Sequence, residues 1–421
     1  MPDFLFSNFS QHYQQNTGTV QLMEDLGRAA MMPGPVYAMG GGNPAHIPEA
    51  ERLFQATLST IIEDDAQFAA MVGEYDAPQG NSAFCHTLAN TLSERFGWDI
   101  GPDNIAITNG SQSSFGLLFN AFAGKFPDGH FRKILLPLTP EYVGYADVGL
   151  AEASIFDGHK PDIELLDERF FKYRVNFSDL SIDERFGAVC VSRPTNPTGN
   201  VITDDELAHL ANACESAGIP FIIDGAYGLP FPNMVFTKAT PLWNDNIILC
   251  LSLSKLGLPG LRTGIVVAAP EVIRLVRNAN AINQLAPGRV GPTLAHRLLQ
   301  DNTLMHLCDN TIKPFYERKL QHALAVIDHC MANIPVRIHK PEGALFLWLW
   351  FEGLQITSYE LYQALVDTGV FVIPGEHFFP GMNDDNWRHR YECIRVNYAG
   401  PDATIEQGMA LLAEVVQRYL P

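Results

Sequence analysis

One lysine directly follows an apolar run and lies in a glycine-rich segment, which suits an amine nucleophile. It is Lys255, within Ser252–Gly264, whose sequence reads SLSKLGLPGLRTG. Burial and a nearby cation lower the pKa of a lysine and leave its amine free for covalent chemistry. Arg262, seven residues further on, could supply that cation and could also bind a phosphate group through paired hydrogen bonds. The segment therefore predicts an amine-dependent catalytic site.

A candidate anion site lies at Thr108–Gln112, which reads TNGSQ. Gly110, Ser111 and Gln112 precede a helical pattern of apolar residues, and the free N–H groups of a helix N-terminus bind anions such as phosphate. Capping of the helix by Ser111 is the simpler explanation of the same residues. This segment alone leaves phosphate binding and helix capping open.

Two further apolar runs end in polar residues. Asn196 lies in Ser192–Gly199, where two prolines and a glycine predict a rigid turn that holds the amide in place. Asp224 ends the next run, so that its carboxylate is expected to point into the crevice beyond the strand. A purely structural turn and a helix cap are the alternatives for these two positions. The succession of such residues at the ends of apolar runs is what indicates a single site.

The apolar runs before these residues are predicted strands, because they are short and most have Gly, Pro or Asn nearby. The six candidates are Asn104–Thr108, Lys133–Leu138, Gly187–Ser192, Pro220–Asp224, Asn246–Ser252 and Gly264–Ala268. Helices are expected between them, the clearest beginning with a capping box at Thr203–Glu206 and ending near Gly218. Strands alternating with helices predict an α/β fold with a mostly parallel, doubly wound sheet, whose ligands lie beyond the carboxyl ends of the strands.

A smaller α+β domain is predicted where the pattern changes, near residue 300. It contains helices around Thr311–Asn333 and Tyr359–Asp367 and strands at Phe346–Phe351 and Ile394–Tyr398. The N-terminal residues are expected to pack against this domain or against a partner subunit, since chain ends stay ordered only when tied down. We therefore assign residues 46–299 to a large domain and residues 1–45 and 300–421 to a small one.

The charge and the apolar runs argue against two classes of partner. The 421 residues include 28 Lys and Arg against 47 Asp and Glu, a net charge of −19. A surface this acidic repels nucleic acid and anionic lipid. The apolar runs also fall far short of the ~20 residues that span a bilayer. We therefore expect small-molecule substrates and neither nucleic acid nor membrane as a partner.

The cysteines predict the compartment and argue against a metal site. The seven cysteines are widely spaced and form no C-x-x-C pair, unlike those of a disulfide framework or a zinc cluster. Reduced thiols are typical of the cytosol. The first residues also lack the basic and apolar regions of a signal peptide. We therefore expect a cytoplasmic protein without a bound metal.

Three motifs taken together resemble the pyridoxal-phosphate-dependent aminotransferases of fold type I. They are S-x-S-K-x-G-L-P-G-L-R-x-G at Ser252–Gly264, N-P-T-G at Asn196–Gly199 and D-x-x-Y at Asp224–Tyr227. The resemblance covers essentially the whole chain. It implies the fold type I architecture, pyridoxal 5'-phosphate as the cofactor, and a homodimer with shared active sites.

The resemblance also implies roles for the candidate residues. Lys255 would carry the cofactor as a Schiff base and then act as general acid and base, and Asp224 would pair with the protonated pyridine nitrogen. Asn196 and Tyr227 would donate hydrogen bonds to the phenolic oxygen of the ring. The other cofactor-binding residues are the phosphate cup of Gly110, Ser111, Gln112, Ser252 and Arg262, the ring-stacking Tyr142, and Tyr75, which would reach the phosphate from the partner subunit. The substrate-binding residues are Asn196, Gly41 and Arg395, whose guanidinium would bind the substrate α-carboxylate.

Further segments resemble a branch of the family that exchanges the amino group between L-valine and pyruvate, giving 2-oxoisovalerate and L-alanine. They are Gly40–Ala45, Tyr75–Gly80, Thr108–Ser113, Ser192–Asp204 and Lys340–Phe351. Because one methylene is worth only ~1–3 kcal/mol in an apolar pocket, a small set of aliphatic amino acids is the expected substrate class. Two departures from the pattern are Gly225, where a bulkier residue is expected, and Arg289, which would favour an acidic substrate if it reached across the dimer.

Other functions of the same fold are alternatives. An aminotransferase of aromatic or acidic specificity, or a lyase, would present the same cofactor site, since fold does not determine reaction. Dependence on a keto acid separates a transferase from a lyase. A cofactor-sensing regulator would need an additional DNA-binding domain and a basic patch, which the length and the charge of this chain disfavour.

Overall fold

The computed structural model describes residues 34–151, 153–382, 384 and 386–421, together with residues 5–7, 10, 13, 20, 23, 24 and 27 before them. The strands are β1 (Tyr37–Ala38), β2 (Ile105–Thr108), β3 (Gly124–Lys125), β4 (Phe131–Leu136), β5 (Phe156–Gly158), β6 (Asp162–Leu165), β7 (Phe170–Arg174), β8 (Phe186–Ser192), β9 (Phe221–Asp224), β10 (Ile247–Ser252), β11 (Gly264–Val267), β12 (Arg337–His339), β13 (Phe346–Trp350), β14 (Val370–Phe371), β15 (Ile373–Pro374) and β16 (Cys393–Asn397). The helices are α1 (Pro48–Ile62), α2 (Asp65–Gly73), α3 (Ser82–Phe96), α4 (Ser111–Phe122), α5 (Asp204–Ala217), α6 (Pro270–Gln284), α7 (Val290–Gln300), α8 (Thr303–Leu307), α9 (Lys313–Cys330), α10 (Ser358–Val366) and α11 (Asp402–Val416).

The large sheet has the order β2-β11-β10-β9-β8-β4-β3, with β5 also paired to β4. Strands β10, β9, β8 and β4 are parallel, and only β11 among the central strands runs against its neighbours. Successive residues of a strand bury their side chains in different cores: Ile247 and Leu249 face one and Ile248 the other. This burial on both faces explains the continuous apolar runs. The predicted α/β fold with a mostly parallel sheet is confirmed.

The predicted boundaries of these strands agree with the observed ones to within two residues. The predicted capping box is also present, since the Thr203 hydroxyl accepts the Glu206 N–H and the Glu206 carboxylate accepts the Thr203 N–H. Helix α5 then ends at Gly218, whose φ of 67° is a left-handed conformation that glycine adopts without strain. The helix therefore begins and ends where its residues predict.

A second sheet has the order β15-β16-β13-β12-β7-β6. Its strands β12, β13, β15 and β16 come from the predicted small domain, but the antiparallel hairpin of β6 and β7 comes from within residues 46–299. The split at residue 299 therefore does not separate the two sheets, because the hairpin leaves the large sheet and pairs with β12. The strands at Tyr37–Ala38 and Val370–Phe371 pair as well, which ties the chain from residue 34 onward to the second domain. The packing predicted for the first residues otherwise lies mostly outside the described residues.

A buried ion pair joins this hairpin to the loop that carries Asn196. The Lys172 amine, on β7, contacts the Glu342 carboxylate and donates to the Asn200 side-chain oxygen at 2.7 Å. The Glu342 N–H also donates to the Gly199 carbonyl at 3.1 Å. Removing one member of such a pair leaves an uncompensated buried charge. The pair therefore fixes the position of the Asn196 loop against the second sheet.

None of the described helices is both long enough and apolar enough to cross a lipid bilayer. All seven cysteines are free thiols, and six of them are buried.

Candidate active site

The predicted residues meet at one edge of the large sheet. Strands β8, β9 and β10 are parallel, and β2 runs in the same direction because it is antiparallel to β11, which is antiparallel to β10. Their carboxyl ends, which precede Asn196, Asp224, Lys255 and Gly110, therefore lie side by side. This is the edge at which open α/β sheets bind their ligands.

The Lys255 amine lies between the N-terminal loop and the sheet. It donates a hydrogen bond to the Gly42 carbonyl at 2.6 Å and lies 5.4 Å from the centre of the Tyr227 ring. Burial lowers the pKa of Lys255 to about 8, and the positive charges of Arg395 and Arg262 act in the same direction, while Asp224 opposes them. The neutral, nucleophilic amine is therefore accessible near neutral pH. Arg395 contributes more to this shift than Arg262, the cation expected from the sequence.

The Asp224 carboxyl group is buried at the end of β9 with both oxygens hydrogen-bonded. One accepts the Tyr145 hydroxyl at 2.6 Å and the other accepts the Ala226 N–H at 2.9 Å. Burial raises the pKa of Asp224, and both hydrogen bonds and the Lys255 charge counteract the increase. The alternative of a helix cap does not apply, because β9 is followed by a turn and not by a helix. A fixed, buried carboxyl group of this kind suits a cationic partner.

The start of α4 and the Arg262 segment form a cradle. Gly110 is the N-cap of α4 at a φ of 90°, and Ser111 is the first helical residue, so the alternative of Ser111 as the cap does not apply. A Cβ at Gly110 would lie 2.3 Å from the Arg262 guanidinium, and a Cβ at Gly264 would lie 2.6 Å from the Ser111 nitrogen. Buried Ser252 lies beside them at the end of β10. Since the first N–H groups of a helix have no partner within it, the cradle suits an anion.

The Gln112 side chain forms a hydrogen bond outside the predicted phosphate cup. Its amide donates to the Gly144 carbonyl at 2.7 Å and so ties the start of α4 to the turn at Val143–Tyr145. Only the backbone N–H of Gln112 remains suited to the predicted phosphate contact. Tyr142, which begins this turn, is largely enclosed, and burial raises the pKa of its hydroxyl.

The Arg395 guanidinium is buried without an acidic partner among the described residues. It donates to the Asn196 side-chain oxygen at 2.7 Å and to the Gly40 carbonyl at 2.6 Å, and it lies 4.1 Å from the centre of the Phe346 ring. Its Nε has no hydrogen-bond partner in the described part of the chain. Burial lowers the pKa of Arg395 to about 10. A buried cation of this kind predicts an anionic ligand, and a carboxylate matches its planar geometry.

Three successive carbonyls of the loop Gly40–Gly42 accept hydrogen bonds from three polar side chains. Gly40 accepts from Arg395, Gly41 accepts from Asn397 at 2.6 Å, and Gly42 accepts from Lys255. Gly41, a predicted substrate-binding residue, therefore lies beside the residues of the site. The loop encloses the space between the amine and the guanidinium.

Tyr75, which was predicted to reach the phosphate of a partner subunit, is largely exposed. Its side chain is 81% exposed. Its neighbours Glu74 and Asp76 form ion pairs with Arg289 at 3.1 and 3.4 Å. Arg289 is therefore engaged by two carboxylates of its own chain. Gly225, the other departure from the expected pattern, is explained by crowding, since a Cβ there would meet Leu251 at 3.0 Å and Leu249 at 3.1 Å.

Two buried residues of the site were not found from the sequence. Tyr145 holds Asp224, and Glu141 accepts hydrogen bonds from both the backbone N–H and the hydroxyl of Ser192. Neither belongs to a strand or to a recognisable motif, although Glu141 directly precedes Tyr142. Their partners lie 79 and 51 residues away along the chain, so local patterns do not reveal them.

Glu141→Gln is expected to stabilise the protein more at pH 8 than at pH 5. Burial raises the pKa of Glu141 to about 8. The folded protein therefore keeps a proton that the unfolded chain releases, and stability is lost as the pH rises from the ordinary range of a glutamate toward 8. Glutamine does not titrate, and its amide oxygen can accept the Ser192 N–H while its amide N–H₂ donates to the Ser192 hydroxyl. Denaturant unfolding of the cofactor-free proteins at both pH values measures the difference in free energy of unfolding between the variant and the wild type. This difference should grow by up to about 1.4 kcal/mol per pH unit. Equal differences at pH 5 and pH 8 would contradict the prediction.

The arrangement fits pyridoxal 5'-phosphate at three of the groups that this cofactor presents. The cradle of Gly110, Ser111 and Arg262 matches the phosphate, and the buried Asp224 carboxyl group matches a protonated ring nitrogen. The Lys255 amine matches the aldehyde. Gly110 and Gly264 lack the side chains that would collide with the cradle. These residues therefore fit the phosphate, the ring nitrogen and the aldehyde of this cofactor.

Comparisons with known proteins agree with the geometry. The family model of class I and II aminotransferases matches residues 49–412. The chain is 49% identical to the valine–pyruvate aminotransferase of Escherichia coli K12, over 98% of each chain. It superposes with a TM-score of 0.88 on the crystal structure of the valine-pyruvate aminotransferase of Salmonella typhimurium LT2. The two sequences are 47% identical, and the superposition covers 95% of this chain and 99% of the other. An aspartate aminotransferase of Thermus thermophilus, at 16% identity and a TM-score of 0.78 over 98% of this chain and 100% of its own, shares the fold. The chain therefore belongs to the class I and II aminotransferases, a family whose cofactor is pyridoxal 5'-phosphate.

Proposed function

We propose that this protein transfers the amino group of L-valine, or of a similar small aliphatic amino acid, to pyruvate, giving 2-oxoisovalerate and L-alanine. The observation that carries the proposal is the juxtaposition of the Lys255 amine with the unpaired guanidinium of Arg395 across the Gly40–Gly42 loop. The high identity to valine–pyruvate aminotransferases over the full chain supports the choice of substrates.

The chain's own residues divide the chemistry among them. When bound, pyridoxal phosphate supplies an electron sink for the bonds at the substrate Cα. Arg395 would orient the substrate through its carboxylate. Asn196 accepts one guanidinium N–H, which leaves its own amide N–H₂ available to donate to the cofactor. Lys255, with a pKa near the working pH, takes and returns the proton at Cα. Asp224 would hold a proton on the ring nitrogen, and Tyr227, whose ring lies 5.4 Å from the Lys255 amine, would donate to the ring's phenolic oxygen.

The charges around the site favour apolar substrates over acidic ones. An acidic substrate needs a cation for its second carboxylate, and Arg289 was the sequence candidate. Because Glu74 and Asp76 already neutralise Arg289, it is poorly suited to bind a further carboxylate. Phe346 contributes an apolar wall, since its ring lies against Arg395. This argues against the alternative of an acidic specificity.

The exposure of Tyr75 supports a homodimer with shared active sites. Exposed apolar side chains accompany it on α2 and at the end of α6, and such patches mark protein contacts. They are Phe68, Val72, Tyr75, Ile282 and Leu285. Asn280 on α6 donates to the Pro78 carbonyl at 2.7 Å, which links the two segments. A second copy of the chain covering this face would bring Tyr75 to the phosphate of its partner.

The free thiols fit a cytoplasmic location.

Single-turnover analysis with L-valine tests the proposal. Holoenzyme mixed with L-valine in the absence of any keto acid is expected to form about one equivalent of 2-oxoisovalerate per active site and then stop. Adding pyruvate should restart the reaction and yield alanine. Continued turnover without a keto acid would indicate a lyase, and a burst with glutamate or phenylalanine but not with valine would indicate another specificity.

A further inference from the structure

We propose that Tyr145 is a positioning residue for cofactor binding, which holds the Asp224 carboxylate in the orientation that pairs with the pyridine nitrogen. The inference rests on the proposed function, because it assigns Asp224 to that nitrogen. In the described part of the chain, the Tyr145 hydroxyl donates to Asp224 and forms no hydrogen bond with the phosphate cradle or with Lys255, so it acts through Asp224.

The Asp224 carboxylate has two fixed donors, one on each oxygen. The Ala226 N–H is part of the turn after β9 and orients the first oxygen at 2.9 Å. The Tyr145 hydroxyl orients the second at 2.6 Å. Each carboxylate oxygen accepts two hydrogen bonds, so each keeps one lone pair for a ligand. With both oxygens restrained, the carboxylate cannot rotate about its Cβ–Cγ bond without losing a short hydrogen bond in a buried site.

Tyr145 is itself held rigidly. Its ring is fully buried and packs against the rings of Phe115, Phe119 and Tyr142, at centroid distances of 5.1, 5.1 and 5.4 Å. A hydroxyl on a ring with so little freedom is a pre-organised donor, and forming its hydrogen bond costs little side-chain entropy. Burial also raises the pKa of the phenol well above its usual value, so it remains a donor at any working pH.

The turn that carries Tyr145 also joins the other parts of the cofactor site. Tyr142 begins this turn, and its carbonyl accepts the Tyr145 N–H at 3.0 Å. The Gln112 side chain, at the start of α4, donates to the Gly144 carbonyl. One short turn therefore connects the phosphate cradle, the residue predicted to stack on the ring, and the carboxylate for the ring nitrogen. The tyrosine hydroxyl is the element of this connection that a single-atom change can remove.

Tyr145→Phe isolates that hydroxyl because the aromatic packing is kept. A hydrogen bond to a charged group is strong, so we expect the variant to bind pyridoxamine 5'-phosphate about 10- to 100-fold more weakly than the wild type. This probe contains the ring nitrogen but cannot react with Lys255, so calorimetric titration of the cofactor-free protein reports binding alone. Inorganic phosphate, which requires only the cradle, should bind to both proteins equally.

Tyr398→Phe is the matched control. Tyr398 is also fully buried, and its hydroxyl donates to the Ala344 carbonyl at 2.8 Å, outside the cofactor site. This variant loses a buried hydrogen bond of the same kind and is expected to bind pyridoxamine 5'-phosphate as the wild type does. Weakening of the same size in both phenylalanine variants would mean that the effect is a general loss of stability, and would overturn the proposal.

A double-mutant cycle decides whether Tyr145 acts through Asp224. In an Asp224→Asn background, Tyr145→Phe should weaken binding by less than twofold, because the carboxylate that it orients is gone. A full additional loss in that background would overturn the proposal, as would wild-type affinity of the single Tyr145→Phe variant. If the wild type itself binds no pyridoxamine 5'-phosphate, the proposed function fails, and this inference fails with it.

Discussion

Lys255→Ala is expected to reduce the rate of valine–pyruvate transamination by at least about 10⁴-fold while leaving the fold intact. The Lys255 amine is proposed both to attach the cofactor and to move the proton at Cα, and general acid–base catalysis alone contributes about 10²- to 10⁴-fold. The variant should still bind pyridoxamine 5'-phosphate, because the cradle and Asp224 are unchanged. The measurement is the rate of 2-oxoisovalerate formation, together with mass spectrometry of the intact protein after borohydride reduction, in which the wild type should gain the mass of the cofactor and the variant should not.

Two controls separate the chemistry of Lys255 from its charge and from general damage. Lys255→Arg keeps a cation of similar length that does not deprotonate, so it should be as inactive as the alanine variant. Lys238→Ala removes an exposed lysine elsewhere and should retain full activity and the added mass. Retention of the borohydride-fixed cofactor by Lys255→Ala would assign the attachment to another lysine and would overturn the reading of the whole site.

The predicted part of the site consists of residues that immediately follow strands. Lys255, Asp224 and Asn196 could each be found because an apolar run, a turn and a polar residue occur within a few positions of one another. The parallel direction of the strands then brings these separate local patterns together at one edge. Local propensity and sheet geometry agree here, which is why the strand boundaries and the capped helix α5 were also predicted closely.

The parts that escaped prediction depend on contacts between distant segments. The hairpin of β6 and β7 reads as a part of the large domain, yet it pairs with β12, more than 160 residues further along the chain. The roles of Tyr145 and Glu141 depend on side chains at the ends of β9 and β8. Arg289 was expected to be free to meet a substrate, and its pairing with Glu74 and Asp76 becomes visible only when α2 lies near α7. Such contacts leave no periodic trace in a single sequence.

Arg395→Ala is expected to lower kcat/KM for L-valine by about 10²- to 10⁴-fold with little change in the affinity for pyridoxamine 5'-phosphate. The structure explains why the effect should fall on the substrate. Among the described residues, the hydrogen-bond partners of the buried guanidinium are the neutral Asn196 and Gly40, so the substrate carboxylate would supply the missing negative charge. Charge-assisted, bidentate pairs in dry sites are among the strongest hydrogen-bonded contacts, and losing one typically costs several kcal/mol.

The decisive comparison uses Arg395→Lys and a substrate without a carboxylate. Lysine keeps the positive charge but cannot form the bidentate pair, so it should recover only a small part of the loss. Isobutylamine has the branched side chain of valine without its carboxylate, and its slow reaction with the holoenzyme, followed as loss of the cofactor's visible absorbance, should be equally slow in wild type and Arg395→Ala. If both substrates lose rate equally in the variant, Arg395 supports the site as a whole. A loss confined to L-valine can arise only from its carboxylate, and would identify Arg395 as the group that selects amino acids over simple amines.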